Sequence, residues 1–292
     1  MNYELIQYTF SLHEVAPYIN WLYFFHSWGF PAHLGSIAKV HGCSACRNNW
    51  LYSFKIEERA RAQEAIKLFD EAQHLLNTLD GIFHTHARIL LSEGHSEGDD
   101  IVLSNGVRLP LLRQQQPDED GICWCLSDFV SPKQDTIGCF VCTTDQGMEE
   151  QMADDEYQHM LHQTLADRLA EATAEKTHEM VRRQLWGYAP NEQLTVDELF
   201  AEKYQGKRPA VGYPSLPDQS FNFLLDKLLD FTSIGVTLTE NGAMRPHAST
   251  SGLMLSHPAT KHFSVGKIAE DQIVDYAQRR GIATKDIRKY LI

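Results

Sequence analysis

The order of apolar and polar residues predicts a helix near the start of the chain. Apolar side chains recur at helical spacing over residues 12–25. Ser11 and Glu14 have the spacing of a capping box, which marks a helix start. Pro17 complicates this start, because proline is tolerated only in the first turn of a helix. Either Ser11 caps a short turn, or the helix proper begins near Pro17.

The same pattern predicts helices farther along the chain. They are expected over residues 56–79, 148–185, 219–229 and 271–280. The second of these contains no proline and is expected to be one long helix, broken at most once. Thr195 and Glu198 form another capping box, which opens a short helix. Gly281 is a typical helix stop, and residues 283–290 then add a terminal turn.

Short runs rich in β-forming residues alternate with these helices. Strands are predicted at 81–91, 101–103, 121–126, 136–143, 236–239, 253–255 and 263–268. Strands and helices are too interleaved to separate into two units. The pattern therefore predicts an α+β fold in a single domain over residues 1–292.

Composition narrows the class of protein. The 292 residues are 43% hydrophobic, enough for a sizeable core. A net charge of −13 without a Lys/Arg cluster argues against a nucleic-acid partner. The first residues lack the features of a secretion signal, and no run of about 20 apolar residues predicts a membrane span. We expect a soluble, cytoplasmic protein.

The six cysteines form three close pairs, Cys43/Cys46, Cys123/Cys125 and Cys139/Cys142. The first pair has the spacing of half a zinc site or of a redox dithiol. A zinc site would need Cys139 and Cys142 as its other half, but these lie in a predicted buried strand, where cysteine behaves as a small hydrophobe. We therefore expect plain thiols and no metal.

A stiff segment, RPAVGYPSLP, occupies residues 208–217 and is here called the signature segment. Its three prolines restrict φ, whereas Gly212 can adopt conformations closed to other residues. Arg208 and Tyr213 project planar groups from this backbone. Such a segment loses little conformational freedom when a small molecule binds, although it could also be a Pro-rich surface turn.

The signature segment is flanked by further motifs in a characteristic order. They are YINW (18–21), GDDI (98–101), LRQQ (112–115), CLSDFV (125–130), LADRLAEA (165–172), WGYAPNE (186–192), YQG (204–206), LTE (238–240) and SHP (256–258). Together they resemble the activation domain of cobalamin-dependent methionine synthase, over essentially the whole chain and least between about 30 and 98. The resemblance implies an antiparallel-rich twisted sheet flanked by helices, one of them long.

The resemblance also implies a function. Activation domains of this kind bind S-adenosylmethionine, whose methyl group, with an electron from a flavodoxin-type reductase, restores methylcobalamin from the cob(II) form. The chain lacks the family's Asp-x-His-x-x-Gly cobalamin signature and has no room for the other methionine synthase modules. We therefore expect a free-standing reactivation module that acts on the cobalamin of a separate methionine synthase core.

Other functions remain open at this point. The chain could be a non-catalytic cap that docks on cobalamin and has lost S-adenosylmethionine binding, or it could reactivate another corrinoid methyltransferase. An ordinary methyltransferase is disfavoured, because no glycine-rich loop follows a strand. Neither a GxSxG nor an HExxH motif is present, and no catalytic residue is predicted. Whether such a module counts as an enzyme stays open.

Eight residues match ligand-site positions of the family: Asn20, Glu171, Arg208, Ala210, Gly212, Tyr213, Met254 and Leu255. The resemblance implies that Arg208 holds the ligand carboxylate, by a charge-assisted contact. A salt bridge within the turn is the alternative role for Arg208. Gly212 and Tyr213 would shape the cradle, Ala210 would offer backbone, and Glu171 would lie nearby or be a solvated helix carboxylate.

This chain departs from the family at three places. Asn20 replaces an aspartate, Met254 and Leu255 replace a Tyr-Phe pair, and Gln219 replaces a histidine. These exchanges remove a charge, aromatic area and a hydroxyl. We expect a weaker or differently posed ligand as the result.

His84 and His86 share one face of a predicted strand, and His95 is near in sequence. They could be metal ligands, but with 14 histidines in the chain such pairs arise by coincidence. We expect no metal here, and altered contacts to the cobalamin partner are an alternative role.

Overall fold

The computed structural model describes residues 4–291, which fold around a curled antiparallel sheet. Its six strands are β1 (Glu4–Ser11), β2 (His84–Glu97), β3 (Asp100–Leu103), β4 (Arg108–Pro110), β5 (Asp135–Thr144) and, later in the chain, β8 (Ser249–Met254). They run in the order β4-β3-β2-β5-β8. β1 and β3 pair with successive parts of the same edge of β2. A separate hairpin joins β6 (Thr237–Leu238) to β7 (Met244–Arg245).

Helices cover both faces of this sheet. They are α1 (Leu12–Val15), α2 (Trp21–Ser27), α3 (Ser44–Tyr52), α4 (Ile56–Leu79), α5 (Glu156–Met180), α6 (Val196–Phe200), α7 (Phe221–Leu229), α8 (Glu270–Arg280) and α9 (Thr284–Ile287). Short 3-10 helices lie at Ala16–Tyr18, Ala32–Lys39, Leu126–Phe129 and Phe231–Ile234. The predicted α+β class, with a long helix beside an antiparallel sheet, is confirmed. No helix in residues 4–291 is long and apolar enough to cross a membrane.

The start of the chain resolves the two alternatives left by Pro17. Ser11 accepts a hydrogen bond from the Glu14 amide and caps α1, which is only one turn long. Pro17 lies in the 3-10 helix that follows. Asn20 then caps α2, so the predicted single helix is three short elements.

Strand β5 is buried on both faces of the sheet. Cys139 and Val141 point into one hydrophobic core, and Phe140 and Cys142 into the core on the opposite face. Both faces are buried because α7 packs on one side and α5 on the other. Burial raises the pKa of Cys139 and of Cys142 to about 12. Two thiols on opposite faces cannot complete a zinc site with Cys43 and Cys46.

Two predicted strands are wrong, and three strands of the structure were not predicted. Residues 121–126 form no strand, because Asp118 organises them as a turn by accepting bonds from the amides of Asp120 and Ile122. Residues 263–268 belong to no strand: Gly266 turns the backbone with φ +73°, and the amide of Val265 donates to the loop carbonyl of Pro214. The strands that were not predicted are β1, β4 and β7.

The long helix predicted over residues 148–185 differs from prediction at its start and ends where predicted. The helix predicted from residue 148 begins at Glu156, capped by Asp155, whose side chain accepts from the amides of Tyr157 and Gln158. It continues beyond Met180 as a π-helical turn, Val181–Leu185. A π turn inserts one extra residue and often lies at a functional site.

The signature segment lies alongside β8. Isolated bridges join Lys207 to Leu255 and Ala210 to Gly252. A side chain at position 252 would collide with the carbonyl of Pro209, so only glycine allows this close approach. The segment thereby covers the edge of β8 that does not pair with β5.

Candidate ligand pocket

A pocket of about 350 Å³ opens between α5, the signature segment and the residues that precede α2. Its wall contains Tyr18, Asn20, Tyr23, Arg168, Glu171, Glu175, Leu199, Phe200, Glu202, Tyr204, Arg208, Ala210, Tyr213, Thr250 and His262. Five of the eight predicted residues are among them. The structure thus brings together side chains from distant parts of the chain, with several charged groups around one space.

Arg208 is mostly buried at the base of this pocket. Its guanidinium donates to the Glu175 carboxylate at 3.3 Å and to Nδ1 of His178 at 3.2 Å. Burial is the largest single influence and lowers the pKa of Arg208, but the surrounding acidic groups, Glu175 foremost, together outweigh it and the pKa is raised. The salt bridge is therefore made to α5 and not within the turn. With five N–H donors, a guanidinium so held can also bind a ligand carboxylate.

Two of the three acidic residues in the pocket wall lie on one face of α5. Glu171 and Glu175 are one turn apart, and His178 and Arg182 continue the same row. Tyr213 donates its hydroxyl to Glu171 at 3.4 Å. Within the described residues, Oε1 of Glu175 is buried and has no hydrogen-bond partner. A buried oxygen of this kind is suited to a cationic donor from a ligand.

His178 connects Arg208 to the interior. Because arginine can only donate, Nδ1 of His178 is unprotonated, and the proton on Nε2 is directed to the Tyr188 hydroxyl at 3.4 Å. Burial lowers the pKa of His178 well below its ordinary value, and the charges of Arg182 and Arg208 add to this effect. Neutral His178 is thus the state that orients Arg208.

This burial predicts a pH dependence of stability. The folded pKa of His178 lies below the unfolded value of about 6.5, so the unfolded chain binds more protons at low pH. The free energy of unfolding should therefore fall as pH drops below about 6.5, by up to ~1.4 kcal/mol per pH unit from this residue. We expect a shallower fall for His178→Gln, measured by urea denaturation at stepped pH. If the free energy of unfolding fell equally with pH in the parent protein and in His178→Gln, His178 would not be the source of the pH dependence.

Arg182 stabilises the wall of the pocket from behind. It is fully buried and binds both oxygens of Glu192, at 2.8 and 2.7 Å. Its guanidinium carbon lies 4.1 Å from the ring centroid of Tyr204, a pocket residue. The π turn that follows α5 carries this arginine. Neither Arg182 nor Glu175 was predicted as a residue of the ligand site, although their polar row on a predicted helix was a usable signal.

The remaining predicted residues lie around the pocket in different ways. Asn20 is in the wall, and its Oδ1 accepts from the Leu22 amide at 3.2 Å. Gly212 has φ +87° and makes the turn that presents Tyr213. Met254 and Leu255 are fully buried and do not line the pocket.

Met254 and Leu255 support the pocket from the sheet. Met254 lies on the same face of β8 as the pocket residue Thr250, since side chains alternate along a strand. The backbone of Leu255 exchanges two hydrogen bonds with Lys207, at 2.9 and 3.0 Å. These bonds fix the start of the signature segment whatever side chain stands at 255.

The histidines on β2 have structural partners. Nε2 of His86 lies 2.7 Å from Oδ1 of Asp145, and its Nδ1 lies 3.0 Å from the Thr9 hydroxyl. His84 donates its amide to the same aspartate at 2.6 Å. Both nitrogens of His86 are thereby engaged, which leaves none for a metal.

These features define an α+β domain with a charged small-molecule pocket at the covered edge of its sheet. Residues 11–281 match the family described as "Vitamin B12 dependent methionine synthase, activation domain". The chain belongs to this family.

One solved relative is a crystal structure of the MetH reactivation domain bound to AdoHcy. It is 33% identical in sequence, and the match covers 99% of this chain and 89% of that chain with a TM-score of 0.85. The fold expected from the sequence is confirmed by this similarity.

Proposed function

We propose that the chain binds S-adenosylmethionine in this pocket and presents it to cobalamin held by a separate methionine synthase core. The observation that carries the proposal is that one pocket contains both the mostly buried Arg208 and a carboxylate oxygen of Glu175 that has no hydrogen-bond partner. That the related MetH domain was solved with AdoHcy agrees with it. Reductive methylation of cob(II)alamin, with an electron from a flavodoxin-type reductase, is the corresponding role.

The charges in the pocket fit the groups of this ligand. S-adenosylmethionine carries a carboxylate, an ammonium and a sulfonium, which give it a net charge of about +1 at neutral pH. Arg208 can hold the carboxylate, and the free oxygen of Glu175 can accept from the ammonium. Glu171 adds further negative charge near Tyr213. The volume of about 350 Å³ falls in the range typical of small-molecule sites.

The residues of the chain would bind and orient rather than react. When bound, S-adenosylmethionine supplies the methyl group and the partner's cobalamin supplies the cobalt that receives it. Arg208 and the α5 carboxylates would fix the amino-acid end of the ligand, and Tyr204 and Tyr213 would flank it. Holding the reacting atom in a fixed direction is the protein's contribution to such a transfer.

Charge selectivity gives a direct test of the acidic wall. Glu171→Gln should weaken S-adenosylmethionine binding by about 1 kcal/mol, roughly fivefold, because one attractive charge is lost. Binding of S-adenosylhomocysteine, which lacks the sulfonium charge, should change less. Calorimetric titration of both ligands measures the difference. Equal weakening of the two would show that Glu171 acts through shape or hydrogen bonding only.

The function itself is tested by titration followed by a transfer assay. The purified chain is first titrated with S-adenosylmethionine and then mixed with a methionine synthase core in the cob(II) state, a reductase system and radiolabelled S-adenosylmethionine. Binding together with label transfer to cobalamin supports the proposal. Failure to bind with the core both absent and present would favour the alternative of a cap that has lost its ligand.

A further inference from the structure

A second cluster of reactive side chains lies apart from the pocket, just before and within the first turn of α3. His41, Cys43 and Cys46 each offer one donor atom, and these atoms all lie within 4.8 Å of one another. Neither Cys43 nor Cys46 is buried, and His41 is exposed. The spacing of the cysteine pairs alone does not indicate His41, which lies two residues before Cys43 and joins the cluster only in the fold.

Local hydrogen bonds orient these donors toward one another. Cys43 is the N-cap of α3, and its sulfur accepts from the Cys46 amide at 3.4 Å. The Cys43 amide donates to Nδ1 of His41 at 3.3 Å. That nitrogen is therefore unprotonated, and zinc would take its lone pair in place of this long amide hydrogen bond. The helix start also favours thiolate over thiol at Cys43.

The spacing is close to what a tetrahedral metal requires. Zinc–sulfur bonds of about 2.3 Å and zinc–nitrogen bonds of about 2.0–2.1 Å place ligand atoms roughly 3.5–3.8 Å apart. The three donor atoms lie up to 4.8 Å apart. A side-chain movement of about 1 Å would bring them to the separation that zinc requires. Two sulfurs and an imidazole form a donor set that prefers zinc to the hard ions magnesium and calcium.

We propose that His41, Cys43 and Cys46 bind one zinc ion, with a fourth coordination position left to solvent or to a partner. The ion would tie the loop before α3 to the helix. α3 is in turn joined to α4 by an ion pair between Arg47 and Asp70. Zinc would therefore fix the position of this helix pair, which is remote in sequence from the ligand pocket.

Cobalt(II) is the probe that tests the proposal, because tetrahedral cobalt–thiolate centres absorb in both the near-ultraviolet and the visible. The whole chain, reduced and stripped with a chelator, is titrated with cobalt(II) and then with zinc(II). We expect one equivalent of cobalt to give both bands and zinc to bleach them. The variants are Cys43→Ser, Cys46→Ser and His41→Asn, and the matched control is Cys123→Ser, the other thiol that is not buried.

Each of the three cluster variants should weaken zinc binding by more than about 100-fold. That loss exceeds what is expected when a residue only supports a metal ligand without binding the metal. The Cys123→Ser control should bind zinc like the parent chain. Absence of the tetrahedral bands would overturn the proposal, as would bands that survive all three variants. A Cys43–Cys46 disulfide that forms readily, in a protein whose reduced form takes up no metal, would identify a redox dithiol instead.

Discussion

Arg208→Ala is expected to weaken S-adenosylmethionine binding by about 100-fold, enough to abolish ligand-induced stabilisation at ordinary concentrations. A charge-assisted, two-point contact to a carboxylate contributes about 1.5–3 kcal/mol, and a buried site leaves no water to replace it. Calorimetric titration measures the affinity, and the shift of melting temperature with added ligand checks it independently. Undiminished binding would remove Arg208 from the site.

Arg208→Ala should also lower the stability of the fold, so the experiment must separate this effect from the loss of binding. Without Arg208, the buried Glu175 loses its ion-pair partner, at a cost of about 3 kcal/mol in the free energy of unfolding. The double variant Arg208→Ala/Glu175→Gln removes that charge and should recover much of the stability without recovering the ligand. Arg288→Ala, which removes an exposed arginine paired with Glu270, is the matched control and should change neither property.

The second large effect is expected at the end of α8. Arg280 and Asp218 form an ion pair with side chains only 2% and 1% exposed. Tyr276 donates its hydroxyl to Asp218 at 2.7 Å, and Ser220 does the same at 2.7 Å. Arg280→Ala leaves the aspartate buried and uncompensated, so we expect a loss of about 3–5 kcal/mol in the free energy of unfolding by urea denaturation.

A paired substitution distinguishes a charge effect from lost packing. Replacing both partners, as Arg280→Met/Asp218→Asn, should be less destabilising than Arg280→Ala alone, because no unpaired charge remains buried. Asp275→Ala, on an exposed side of α8, serves as control and should cost under about 1 kcal/mol. If the double variant were the least stable of all, packing and not charge would explain the network.

The sequence predicted those elements whose signals are local. The helix predicted over 56–79 has the bounds of α4, and Thr195 caps α6 with the expected box. Gly281, with φ +64°, ends α8. Caps, periodicity and glycine stops act within a few residues, so no knowledge of the fold is needed to recognise them.

Features that depend on contacts between distant parts of the chain could not be predicted from local sequence patterns. Strand β2 extends to Glu97 because β1, β3 and β5 each pair with part of it, and no local pattern gives that length. In the pocket, the family motif supplied Arg208 but not its contact with Glu175. That contact depends on the packing of α5 against the signature segment, which lies 33 residues farther along the chain.

The signature segment has a second consequence that concerns the sheet rather than the ligand. An open strand edge offers its backbone to other molecules and is a common route to aggregation. By lying along β8 through the bridges at Lys207 and Ala210, the segment shields that edge. The segment that we propose to hold the ligand therefore also protects the sheet, so substitutions there are expected to affect solubility as well as binding.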